Sequence, residues 1–329
     1  MRIGVLCSGG DAPGMNAAIR SIVRSAIVLG DEVVGIKHGY EGLMNNEIYL
    51  GGEFGSIFMG LRSVSGLSCL GGTILHSSRS KHFQTEEGIA DAVKTLRDRR
   101  IDALITIGGN GTLSGARDLG KFWGGQIIGL PGTIDNDLLG TDFTIGFATA
   151  VDTAVDAVDK LRDTAGSHDL MFFVEVMGRH CGDIALATAI ASGAEIACIP
   201  EKPETPEAIV AKLNCVKEAG KASVIAIVAE GYQKGAVELQ RILKEAGNPF
   251  DSRTVVLGHI LRGGSPTAFD RILASELGNF AVSELIKGET GKMAGRISGE
   301  FALTPFDECV SGHKKANEDQ LRLLGIVAT

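Results

Sequence analysis

Apolar residues along the chain fall into short continuous runs, most of them followed by a glycine turn and then by a stretch with apolar positions at helical spacing. RIGVLC at residues 2–7 reads as a buried strand. The turn GGDAPG leads into MNAAIRSIVRSAIVLG, an amphipathic helix that a glycine stops. A short strand (EVVGIKHG), a long glycine- and serine-rich stretch, and a helix around 86–100 feeding the strand DALITIGG follow. QIIGLP then reads as strand, about Ala148 to Thr164 as helix, MFFVEVMG as strand and DIALATAIASG as helix. IACIPE, a helix around 206–219 and SVIAIVAEG come next; the C-terminal third holds TVVLGHILRGG, a helix beginning near AFDRIL and a less regular end. Short buried strands alternating with helices predict α/β architecture with parallel sheets. With no fixed-period repeat and no low-complexity linker, the pattern implies two α/β lobes with a boundary near residue 146.

Composition narrows the function classes. Apolar residues are 44% and charged residues 22% of the 329, as in a globular protein. A net charge of -8 argues against nucleic acid as a partner, because binding a phosphate backbone needs a basic footprint. MRIGVLC is too short an apolar run for a signal-peptide core, and no run approaches a membrane span, so a cytoplasmic protein without membrane contact is expected. The six cysteines are scattered without zinc spacing, and Cys181 reads as core material. Glycine is the informative count: 45 residues, about twice the usual ~7% share. They cluster behind apolar runs, where an α/β protein brings backbone close to a ligand.

Four such turns carry polar residues. GGDAPGM supplies Gly9, Gly10 and Asp11 before the first helix, and IGGNGT supplies Gly109, Asn110, Gly111 and Thr112. Backbone N–H groups at such turns suit phosphate. GxGxxG after the first strand and GxxxxGK[ST] are both absent, so neither a dinucleotide fingerprint nor a Walker loop is present. LPGTIDND places Asp135 and Asp137 two apart, a pair suited to deprotonating an attacking hydroxyl and holding magnesium-bound water; an Asx-turn is the competing reading. Arg79, Arg179 and Arg262 can meet phosphate oxygens. His259 and Glu230 can contact sugar hydroxyls, against ordinary structural roles.

SGGDAPGMNAAIR, GGNGT, GLPGTIDND, GTDFTIGFATA, VEVMGRHCGD and LGHILRGGSPTAFDRILAS, in this order over nearly the whole chain, resemble the bacterial ATP-dependent 6-phosphofructokinase family. The resemblance implies transfer of the ATP γ-phosphate to the 1-hydroxyl of fructose 6-phosphate, with Mg2+, in a cytosolic homotetramer whose sites are shared between subunits. It implies two Rossmann-like lobes, each a largely parallel sheet flanked by helices, with the active site in the cleft between them. An ATP-binding lobe would comprise residues 1–146 and about 259–305, and a fructose 6-phosphate lobe 147–258 and about 306–329.

Carried over by motif, Asp135 would be the catalytic base, Asp137 its electrostatic partner, Thr133 a contact to the transferring group and Arg179 its charge stabiliser. Gly10, Arg79, Ser80 and Gly109 to Thr112 would bind ATP. Thr133, Ile134, Asp135, Met177, Gly178, Arg179, Glu230, Arg253, His259 and Arg262 would bind fructose 6-phosphate, Arg253 from a neighbouring subunit. Arg20, Arg24, Arg162, Glu195 and Lys221 match an allosteric site between subunits. Relatives that use pyrophosphate carry an acidic residue at the Gly111 position and a lysine at the Gly132 position, so two glycines favour ATP. Asn110, the one candidate metal ligand, stands where the family usually has Asp; it offers a carbonyl oxygen without charge. Leu170 replaces a 6-phosphate arginine, Gln84 an ATP-site arginine and Ala219 an effector-site lysine. The alternatives are a kinase using pyrophosphate or another phosphosugar, and a weakly active regulatory paralogue.

Overall fold

The computed structural model describes residues 1–52, 55–312 and 314–328. The chain begins β1 (Arg2–Cys7), α1 (Met15–Val28), β2 (Glu32–Ile36), α2 (Gly39–Met44), α3 (Glu86–Asp98), β3 (Ala103–Gly108), α4 (Asn110–Gly120) and β4 (Gln126–Pro131). It continues α5 (Phe147–His168), β5 (Met171–Val176), α6 (Asp183–Ser192), β6 (Ile196–Cys198), α7 (Pro206–Glu218), β7 (Val224–Ala229), α8 (Ala236–Glu245) and β8 (Ser252–Val256). It ends α9 (Ala268–Ile286), β9 (Lys292–Ile297), β10 (Glu300–Pro305), α10 (Phe306–Val310) and α11 (Glu318–Val327). Two compact units result: Met1–Ile134, Leu138–Ala148 and Arg262–His313 form one, and Asp135–Asp137, Thr149–Leu261 and Lys314–Thr329 the other. Among the described residues no helix is long and apolar enough to cross a membrane.

The first unit holds a six-stranded sheet in the order β10-β9-β4-β3-β1-β2, parallel except for the β9–β10 hairpin. Strand order reverses at β1, which pairs with β2 on one side and β3 on the other. Ligands of open α/β sheets bind outside the carboxyl ends of strands at such a reversal. The second unit holds a parallel sheet in the order β6-β7-β5-β8, with β5 paired to β7 on one side and β8 on the other. Every residue of β3 and β7 is buried, which is why both read as unbroken apolar runs. Helix starts are set by side-chain caps: Thr85, Thr205 (followed by Pro206), Thr267 and Asn317 each accept the N–H three residues on.

Three expectations are corrected. The α5 helix continues to His168 rather than ending at Thr164, because its buried stripe of Ala154 and Val158 extends to Ala165. The irregular C-terminal end is a hairpin and two helices. Ser298 and Gly299, with φ of 53° and 86°, make the two-residue turn of β9–β10, a conformation that matches the twist of paired strands. Third, residues 306–312 pack with the first unit rather than with 147–258. Phe306 (2% exposed) and Cys309 (fully buried) join the cluster of Leu113, Leu119 and Trp123, and Gly129 of β4 makes room, since a β-carbon there would lie 2.9 Å from the Phe306 ring.

Phe306→Ala is therefore expected to cost about 3–5 kcal/mol, read as a lower urea midpoint for the first unit. A midpoint equal to the parent's would contradict this packing.

Candidate active site

In the first unit, the turns after β1 and β3 are tied together. The Thr112 hydroxyl donates to the Ser8 carbonyl at 2.9 Å, and Gly9, held at φ 85°, donates its N–H to Ser78 O at 3.0 Å. A β-carbon on Gly108 would strike both Thr112 Oγ1 (2.2 Å) and Ser8 O (2.5 Å), so glycine is needed for the two turns to close. The Tyr40 hydroxyl donates to Thr112 O at 2.6 Å and its ring stacks on Phe83, fixing the first turn of α4. That turn carries Asn110 and the exposed Gly111, and the first amides of a helix lack intrahelical acceptors and attract anions.

Arg262 lies on the turn after β1: its guanidinium donates to Asp11 O at 3.2 Å, and a β-carbon on Gly10 would lie 1.9 Å from its Nη1. Thr133 packs against Gly109, and its carbonyl accepts from the Thr144 hydroxyl. Arg79 is exposed, whereas the Ser80 hydroxyl accepts from Phe83 N–H at 3.1 Å. The nucleotide candidates Gly10, Arg79, Ser80 and Gly109 to Thr112 thus share one unit, together with Thr133, Ile134 and Arg262.

In the second unit, Asp135 has a side chain 2% exposed, and its Oδ2 lies 3.3 Å from Nε of Arg179, which is 46% exposed. Arg179 sits in a turn after β5. Gly178 has φ 138° and accepts from Cys181 N–H at 2.9 Å, and Arg179 itself has φ 54°. Glu230, at the end of β7, accepts from the Arg179 backbone N–H at 2.8 Å. A β-carbon on Gly231 would lie 2.0 Å from the Arg179 carbonyl. Glu230 and Gly231 thus clamp the arginine turn from the neighbouring strand, and the signal for Gly231 in the sequence is a glycine directly after a strand-end acid. Met177 is 8% exposed and Gly178 is buried beside it. His259 is exposed, and Arg253 on edge strand β8 pairs with Asp251 at 2.7 Å, which holds the Asp251 carboxyl below its ordinary range.

Asn136, between the two aspartates, is 4% exposed with φ 53°, and its amide donates to Asp183 Oδ2 at 2.8 Å. Burial raises the Asp183 carboxyl above its ordinary range, against the Asn136 hydrogen bond and the Lys314 charge. Burial also pushes the Cys7, Cys198 and Cys309 thiols up to about 12 and raises Cys181. Such thiols are protonated core groups, not nucleophiles. Of the predicted effector residues, Arg162, Glu195 and Lys221 come together: Glu195, 3% exposed, meets Lys221 at 3.3 Å and Arg162 at 3.8 Å. Lys221 also donates to Ala328 O. Arg20 and Arg24 lie on α1 of the first unit.

A family model described as Phosphofructokinase matches residues 2–285. ATP-dependent 6-phosphofructokinase 1 of Thermus thermophilus is 50% identical over 328 residues, covering 99% of each chain. The ATP-dependent 6-phosphofructokinase of Paenibacillus macquariensis is 48% identical over 98% of this chain and 97% of its own. The solved phosphofructokinase of Saccharomyces cerevisiae matches 99% of this chain with a TM-score of 0.87 at 34% identity, and the match spans 48% of that longer chain. The pyrophosphate-dependent phosphofructokinase of Marinobacter aquaeolei, at 20% identity, shares the fold with a TM-score of 0.84 over 92% of its length.

Because the folded state raises the Asp183 pKa above its unfolded value of about 3.9, this carboxylate destabilises the fold above the raised pKa and loses that effect as pH falls toward 4. Asp183→Asn is expected to melt higher than the parent at pH 7 and level with it near pH 4. A difference that does not depend on pH would contradict the burial argument.

Proposed function

The chain belongs to the phosphofructokinase family, and we infer that it transfers the γ-phosphoryl group of ATP to the 1-hydroxyl of fructose 6-phosphate, giving fructose 1,6-bisphosphate and ADP. The observation that carries this reading is the buried Asp135 carboxylate paired with the exposed Arg179 guanidinium. The carboxylate accepts the proton of the attacking hydroxyl, and the arginine meets the charge that spreads over the transferring phosphoryl oxygens. Asp137 steadies the charge distribution, and Thr133 contacts the transferring group. The α4 N-terminus, Gly10, Arg79 and Ser80 take the nucleotide phosphates. Met177, Gly178, Glu230, His259 and Arg262 hold the sugar phosphate, and Arg253 exchanges Asp251 for the 6-phosphate. An exposed, solvent-screened ion pair of that kind is weak, so a phosphate displaces it readily. Homotetrameric assembly, an effector site at Arg20, Arg24, Arg162, Glu195 and Lys221, and a cytoplasmic location complete the proposal.

Magnesium fits poorly as a protein-held ion. Among the described residues no group of three or more His, Cys, Asp or Glu could hold a metal, and Asn110 offers a neutral carbonyl at the positive end of α4. Phosphate oxygens and water would be its main ligands. Donor choice rests on two glycines of unequal tolerance. A β-carbon on Gly111 meets nothing within 4 Å, whereas one on Gly132 would lie 2.8 Å from Ile107 and 3.2 Å from the Gly108 nitrogen. Gly111→Asp therefore tests the donor without disturbing packing, and Gly132→Lys does not.

Coupled assays across ATP and pyrophosphate should show turnover with ATP and fructose 6-phosphate, and Gly111→Asp should raise the KM for ATP by roughly tenfold or more while the melting temperature holds. Equal turnover of the parent with pyrophosphate would sink the donor assignment. Asn110→Asp should lower the magnesium concentration for half-maximal rate, since ligand charge sets affinity for hard cations; an unchanged requirement would place the ion away from residue 110.

A further inference from the structure

Asp135 and Arg179 reach their 3.3 Å contact from two chain segments 44 positions apart in sequence, and both segments are referenced to the start of one helix. On the arginine side, Gly182 and Asp183 follow the turn directly, with Asp183 the first residue of α6. The Gly182 N–H donates to Glu201 Oε1 at 2.8 Å, and a β-carbon on Gly182 would lie 2.4 Å from that of Ile199, so the start of α6 cannot shift without opening this packing. On the base side, the residue after Asp135 turns left-handed, and its amide closes on Asp183.

We propose that Asn136 and Asp183 are positioning residues that hold the Asp135 carboxylate in register with Arg179 through the Asn136–Asp183 hydrogen bond. The clasp acts at one remove from the reacting atoms. Its donor sits next to the base in sequence, and its acceptor sits four residues after the arginine, so the bond spans the two strand-end turns and fixes the distance between their functional groups. Two further features fit this role better than a purely structural one. Asn136 carries its φ of 53° while 4% exposed, a conformation open to asparagine as well as glycine, and of the two only asparagine brings the amide that bonds Asp183. Asp183 is kept half-buried although burial disfavours its charge, a cost that the Asn136 donor and the Lys314 charge offset only in part. The inference rests on the assignment of Asp135 as the base.

The test separates geometry from stability. Asn136→Gly keeps the left-handed turn and removes the donor. Asp183→Ala removes the acceptor, and Asp183→Asn keeps an acceptor oxygen without the carboxylate. Misplacement of a reacting group by about 1 Å costs on the order of 100-fold. Asn136→Gly and Asp183→Ala should each lower kcat by roughly 10–100-fold, with KM for fructose 6-phosphate within about threefold of the parent. The double variant should be no worse than the poorer single, as expected of two ends of one interaction, and Asp183→Asn should recover most of the rate. Parental kcat in Asn136→Gly, losses that multiply in the double variant, or an Asp183→Asn enzyme as slow as Asp183→Ala would each overturn the proposal. Should Asp183→Ala fail to fold, Asn136→Gly and Asp183→Asn decide alone. A parent without turnover on ATP and fructose 6-phosphate would fail the functional reading instead. The crystal structure of Asn136→Gly then reads the clasp directly: an Asp135 carboxylate displaced from Arg179 supports it, and an unmoved 3.3 Å contact overturns it.

Discussion

A carboxylate that is 2% exposed has lost nearly all its water, and Asp135 keeps its place because Arg179 supplies the missing counter-charge. An ionised carboxyl moved out of water without a partner costs several kcal/mol, and removing one partner of a buried pair leaves that cost uncompensated. The pair is asymmetric: the carboxylate is enclosed while the guanidinium is 46% exposed. The arginine can therefore turn part of its fork toward an incoming anion while the carboxylate stays shielded, a division that suits a base and a charge stabiliser in one reaction. Much of the second unit's local geometry serves this contact. The Glu230 hydrogen bond, the close approach of Gly231 and the left-handed Gly178 and Arg179 all hold the arginine turn.

The first unit solves a different problem with the same material. Its sheet reverses order at β1, and the chain leaves both β1 and β3 through glycine turns at that reversal. Thr112 and Tyr40 pin the α4 N-terminus to those loops, and Gly108 permits the approach. In the proposed function, phosphate would be met there by oriented amides and a helix end, which need no buried protein charge to be present beforehand.

The parallel α/β layout was legible because β1, β3, β4 and β7 are buried on both faces and therefore read as uninterrupted apolar runs before glycine turns. The β9–β10 hairpin was not. Glycine and arginine interrupt KMAGRI, and the Ser298-Gly299 turn depends on positive φ at two residues, one of which is not glycine. Asp135, Asp137, Arg179 and the glycine turns stood out as strand-end polar residues. Asn136 and Asp183 did not, since a lone amide between two aspartates and a helix-start aspartate both have ordinary local explanations, and their bond joins positions 47 residues apart. The placement of residues 306–312 also lay beyond sequence, because a five-residue helix has no periodicity that says which core it joins.

The most direct measurement is the kcat of Asp135→Asn with saturating ATP and fructose 6-phosphate, since the asparagine keeps the shape of the side chain and removes the proton acceptor. A loss of roughly 10²–10⁴-fold with little change in KM for the sugar phosphate is predicted. A variant within threefold of the parent would contradict the account of Asp135 as the base on which the site is built.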